Sequence, residues 1–146
     1  MTGVHVALGA TLLAANLAAA GYGGWLWWYG GEPRGFWGLM RAAQVLVALQ
    51  ALLGSILALS GRDLPDLHLV YGLLPLAVSL FAEQLRALSA QAELDRAGLE
   101  DAQAVGRLPE ARQHALVDAI VRREIGVMAA SALVVSVLAA RAAGWL

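Results

Sequence analysis

Phe36-Trp-Gly-Leu-Met-Arg-Ala-Ala-Gln-Val-Leu-Val-Ala-Leu-Gln-Ala-Leu-Leu-Gly-Ser-Ile-Leu-Ala-Leu59 is an apolar run interrupted by a single charge, Arg41. A helix that crosses the hydrocarbon core of a bilayer needs about 20 such residues. Three further runs of that length flank it, over about 4–29, 67–88 and 125–145. Together they predict an all-α integral membrane protein with four spanning helices. The rest of the composition agrees. Of the 146 residues, 60% are hydrophobic and 14% charged, where soluble domains carry about 25% charged residues. Mean hydropathy is +0.65. One four-helix unit uses nearly the whole chain, so residues 1–146 are expected to form a single domain. The first run lacks a basic leader and passes through a Trp/Tyr cluster, which predicts a retained helix and not a cleaved signal.

The arginines give a topology. All ten basic residues are Arg, a usage that, with the abundant Ala, Leu and Gly, fits a GC-rich bacterial genome. Eight of them (Arg34, Arg41, Arg86, Arg96, Arg107, Arg112, Arg122 and Arg123) flank the first turn or the third connection, and only Arg62 and Arg141 lie on the opposite side. The positive-inside rule assigns the eight to the cytoplasm. Both termini then face outward across a bacterial inner membrane. Trp25-Leu-Trp-Trp-Tyr29, Phe36 and Trp37 form an inner aromatic belt, and Trp145 marks the outer face. Short first and second connections predict an up-down-up-down bundle. The third is longer: helix three should continue to about Ala97, and Pro109 suits the first turn of a new helix. Leu116, Val117, Ile120 and Val121 make an apolar stripe before Gly126. This predicts a cytoplasmic helical extension over about 89–124, a hairpin between helices three and four that offers a docking surface for a larger complex. A homo-oligomer through Ala- and Gly-rich faces is equally compatible with the pattern.

Composition excludes several functions. There are no cysteines, so disulfide and thiolate chemistry is absent. A net charge of −1 gives no electrostatic footprint for nucleic acid. No line of carboxylates crosses the membrane, which argues against a proton pump or ion-coupled transporter. For Asn16, Gln44, Gln50, Ser55, Ser79, Ser131 and Ser136, hydrogen bonds between helices are the expected role. Glu83 and Arg86 are expected to pair at the inner boundary.

Two segments stand apart. His5-Val-Ala-Leu-Gly9 opens the first run and His68-Leu-Val-Tyr-Gly72 opens the third. A residue and its i+4 neighbour share a helix face, so each segment sets an imidazole one turn from bare backbone. The two begin odd-numbered helices and lie at one depth near the outer face. An interfacial role for each His is the plain alternative, and His114 in the polar hairpin is read as solvated. Zinc usually needs three or four protein ligands, and neither thiol nor carboxylate accompanies the pair inside the bundle. Haem iron needs two. A haem b ligated by His5 and His68 would find space against Gly9, Gly72 and Gly54, with Pro75 on the same face as His68. Arg62 and Arg141 are the cations available to its propionates.

Gln44-Val-Leu-Val-Ala-Leu-Gln50-Ala-Leu-Leu-Gly54, followed by Ser60-Gly61, a short loop and His68, resembles part of the heme A synthase family. There, a helix with a Gln-x-x-Leu/Met-Gly motif leads through an outer loop to a helix that begins with a haem-ligating His. The preceding odd helix begins with the partner His, as His5 does. The resemblance covers about residues 4–80 and implies a half-length unit of that family, or a b-type membrane cytochrome unit. The family's catalytic glutamate precedes the first ligand His. Here only Met1-Thr2-Gly3 precede His5, Val6 follows it, and the outer-loop cysteine pair is missing. What the resemblance implies is therefore haem binding, with hydroxylation in doubt. Two readings stand: a haem protein serving electron transfer or haem handling near the outer face, or a cofactor-free structural or assembly subunit of a larger membrane complex.

Overall fold

The computed structural model describes residues 2–61 and 67–146. All of its secondary structure is helical: α1 (Thr2–Tyr29), α2 (Arg34–Leu59), α3 (His68–Arg96), the single turn α4 (Ala102–Val105) and α5 (Glu110–Ala142). Four of these, α1, α2, α3 and α5, are long and apolar enough to cross a membrane, as expected for a membrane protein. The single connected turn after α1 is tighter than predicted, covering residues 30–33. Helix α5 begins directly after Pro109 and passes Gly126 unbroken, so the amphipathic stretch and the last apolar run form one helix.

That helix stops earlier than residue 145. Gly144 has φ +74°, a conformation only glycine adopts without strain. Its N–H bonds to the Arg141 carbonyl at 3.1 Å, and the Trp145 N–H to the Ala140 carbonyl at 3.0 Å. These are the paired bonds of a Schellman ending. They leave the Ala142 carbonyl among the terminal acceptors with no partner inside the helix.

The helices pack as a ring in which α1 and α3 each touch α2 and α5. One end of the ring is tightly filled. Phe36, Met40, Leu26, Ala82, Ile125 and Met128 form its core. Two glycines permit close approach there: a Cβ at Gly23 would fall 2.5 Å from Phe36 Cε2 and 2.8 Å from Ala129 Cβ, and one at Gly126 would fall 2.9 Å from Trp27. Charges lock the same end. Arg41 donates to Glu83 at 2.5 Å and Gln44 donates to the same oxygen at 2.8 Å. Arg86 also reaches Glu83, at 3.1 Å, and Arg123 reaches Glu93 at 2.7 Å. The Glu83–Arg86 pair is thus as predicted, but its carboxylate is shared with α2.

The opposite end is hollow. Below it lies a small core of Leu12, Val47 and Val135, and beyond that the ring encloses a cavity. Most of the polar side chains in the apolar runs do not bridge helices as predicted. Asn16 donates to the Leu12 carbonyl at 2.9 Å, Ser79 to Pro75 and Ser136 to Ala132, both at 2.8 Å. Ser55 and Ser131 likewise bond to Ala51 and Met128 of their own helices. Short polar side chains reach the i−3 or i−4 carbonyl of their own helix more easily than a neighbouring backbone. Only the longer Gln44 and Gln50 span the gap.

Candidate functional site

The cavity at the hollow end has a volume of about 540 Å³, within the usual range for small-molecule and cofactor sites. Its wall is apolar, built from Leu12, Leu13, Val47, Leu57, Pro75 and Ala139 among others. Five of the seven residues singled out from the sequence line it: His5, Gly9, Gly54, His68 and Gly72. Arg62 lies outside the described residues. Arg141 does not line the cavity. It borders a smaller adjoining hollow of about 340 Å³, together with His68, Tyr71 and Leu146. There its guanidinium donates to the Leu146 carbonyl and stands 5.8 Å from the centre of the Tyr71 ring.

The two imidazoles come together across the ring of helices. Their centroids are 6.1 Å apart with the planes tilted by 58°. Each is half-buried, and each is held differently. His68 Nδ1 donates to the Ala142 carbonyl at 3.0 Å, using the acceptor that the Schellman ending leaves free. A neutral His68 therefore carries its proton on Nδ1 and keeps a bare lone pair on Nε2. His5 is held at the other nitrogen. The Gln50 amide Nε2 lies 3.2 Å from His5 Nε2, so the amide donates and the ring accepts. His5 again keeps its proton on Nδ1.

The glycines explain why this contact forms. A Cβ at Gly54 would stand 3.3 Å from His5 Cε1, and one at Gly9 would stand 3.1 Å from Gln50 Nε2. His5 sits over the glycine four residues after Gln50, and Gln50 sits over the glycine four residues after His5. Gly9 and Gly54 thus make room for a reciprocal crossing of α1 and α2. Gly72 differs, because a Cβ there would meet nothing within 4 Å.

Two polar atoms remain unsatisfied. His5 Nδ1 and Gln50 Oε1 are buried without a hydrogen-bond partner. Each such atom costs about 1–3 kcal/mol when no water or ligand reaches it, and a pocket that binds something offers the usual compensation. Among the described residues, no group of three or more His, Cys, Asp or Glu gathers for a metal ion. Sequence reasoning gave Gln50 a generic helix-bridging role and a place in the Gln-x-x-Leu-Gly motif of the resemblance, without tying it to His5, and did not single out Tyr71 or the Ala142 carbonyl. Gln50-x-x-x-Gly54 repeats the spacing of the two histidine segments, and that was the available signal. Comparison with known protein families, with curated proteins and with solved structures finds no match to this chain.

Proposed function

We propose that this protein binds a b-type haem in the hollow end of the bundle, with His5 and His68 as the residues that would hold its iron, and serves electron transfer or haem handling. The observation that carries the reading is the imidazole pair facing one apolar cavity at 6.1 Å. Both rings line that one cavity, so a single group bound there could be held by both. Both rings are held in the tautomer that leaves Nε2 unprotonated. Fixing the ligand ring through its second nitrogen, as the Ala142 carbonyl does for His68, is the common support for a metal-ligating His.

Held by both histidines, the group would supply one-electron transfer in preference to substrate binding. The chain's part is to hold the group and exclude water with the apolar wall. Glycine at position 72 leaves one face of that wall flat. Arg141, held against Tyr71 and Leu146 beside His68, is a cation that an acidic edge group could meet.

In this reading the bundle is up-down-up-down. Phe36 packing near Gly23 and Gln50 packing near Gly9 support opposite directions for α1 and α2, as His68 meeting Ala142 does for α3 and α5. The arginine-rich end lies in the cytoplasm and the cavity opens toward the outer face. The test is an absorption spectrum of the full chain purified after expression with haem supply, oxidised and then dithionite-reduced. A Soret band that His5→Ala and His68→Ala each abolish or shift is the expected result. A colourless protein refutes the haem site and favours the cofactor-free assembly role.

A further inference from the structure

We propose that Gln50 is a positioning residue for His5: its amide fixes the ring's tautomer and covers Nε2 until the ligand of the cavity takes that atom over. The second half of this inference rests on the haem reading, while the first stands on the Gln50–His5 contact itself.

His5 Nε2 accepts from Gln50, so the lone pair that would bind an electron-pair acceptor is already engaged. The same bond makes Nδ1 the protonated nitrogen, which is the tautomer needed for ligation through Nε2. Gln50 thus prepares the ring and occupies it at once. Two further observations point the same way. Gln50 Oε1 and His5 Nδ1 are buried without partners, so the pair is an incomplete network and not a finished structural bridge. The crossing is also built for this side chain, since Gly9 leaves a gap that a Cβ would close to 3.1 Å from the amide. His68 has no such cover, because its Nδ1 and not its Nε2 is the engaged atom. Capture of a ligand would therefore be asymmetric. His68 would offer a free Nε2, and His5 would join by exchange, its lone pair passing from the Gln50 N–H to the ligand as that hydrogen bond breaks.

The test uses the full-length protein in detergent, uniformly labelled with ¹⁵N-histidine, at alkaline pH so that the rings are neutral. Protonated and bare ring nitrogens give well separated resonances. In the parent protein His5 shows a single tautomer with Nδ1 protonated. In Gln50→Leu, His5 populates both tautomers and the His68 signals stay in place. Gln50→Met, which keeps the length of the side chain without an N–H, gives the same result. Haemin titration of the apo proteins supplies the second arm. Removing a competing hydrogen bond tightens or accelerates uptake by about 2- to 10-fold. A His5 tautomer that ignores both substitutions overturns the proposal, and so does weaker haemin uptake by Gln50→Leu. If neither parent nor variant takes up haemin, the haem reading falls and the exchange falls with it, and the tautomer arm alone decides whether Gln50 holds His5.

Discussion

His5-x-x-x-Gly9 and His68-x-x-x-Gly72 are equivalent as sequence and different as structure. In the first segment the glycine is filled from outside: Gln50 lies over Gly9, and His5 in turn lies over Gly54. In the second the glycine is open, and the histidine is tied to a helix end, the Ala142 carbonyl. One copy is a close-packed crossing between two helices, and the other is a bare wall with an anchored imidazole. The same spacing therefore serves two purposes. Glycine at i+4 gives room, and what uses the room depends on which helix passes by.

This difference is sharpest if the glycines are filled. Gly54→Leu forces atoms into a space where even a Cβ stands 3.3 Å from the His5 ring, and overpacking of this kind costs about 1–3 kcal/mol. Gly72→Leu meets open space and gains up to about 1 kcal/mol of helix propensity over glycine. Thermal unfolding in detergent should rank Gly54→Leu well below the parent and Gly72→Leu at or above it. Haemin titration should then find both variants defective, the first through a displaced His5 and the second through a filled cavity. Equal destabilisation by the two substitutions would erase the distinction between the segments.

The anchoring of His68 is tested from the other side of its bond. Gly144→Ala places a Cβ at φ +74°, a left-handed conformation that costs roughly 1–2 kcal/mol for a non-glycine residue. The Schellman ending then loosens, and with it the position of the Ala142 carbonyl. The ¹⁵N signals of His68 should move while those of His5 hold still. Movement of both would mean that the two rings are coupled through the cavity and not independently held.

Much of this arrangement follows from residues that could be read without coordinates. The four apolar runs, the extension of helix three to Arg96 and the restart after Pro109 depend on local composition, and the structure has all of them. The meeting of His5 and His68 follows from both residues opening odd-numbered helices. What escaped depends on register between helices, which spacing along one strand of sequence does not encode. Gln50 meets His5 because of how far α2 slides along α1. Arg41 finds Glu83, 42 residues away, for the same reason. Arg141 misses the cavity because α5 ends at Ala142 and the chain folds back on that arginine. Asn16 and the serines satisfy themselves within their helices, a choice set by side-chain length that was open to prediction.

The smallest expected effect separates a bond that supports the fold from one that does not. His68→Leu leaves the Ala142 carbonyl at a helix end without its donor, a loss of about 1 kcal/mol. The crossing at His5 should behave otherwise. It makes one hydrogen bond and leaves two buried polar atoms unpaired, so it adds nothing net to the stability of the protein. Removing one partner alone strands the other, but replacing both with apolar side chains of similar size removes the stranded atoms as well. His5→Leu/Gln50→Leu should therefore unfold at or slightly above the parent temperature, despite losing the only described side-chain hydrogen bond between α1 and α2. A double variant that loses 2 kcal/mol or more, about twice the net value of one hydrogen bond, would show that the polar crossing holds the bundle together. The site would then be a structural joint, and the unsatisfied atoms would need an explanation other than a ligand.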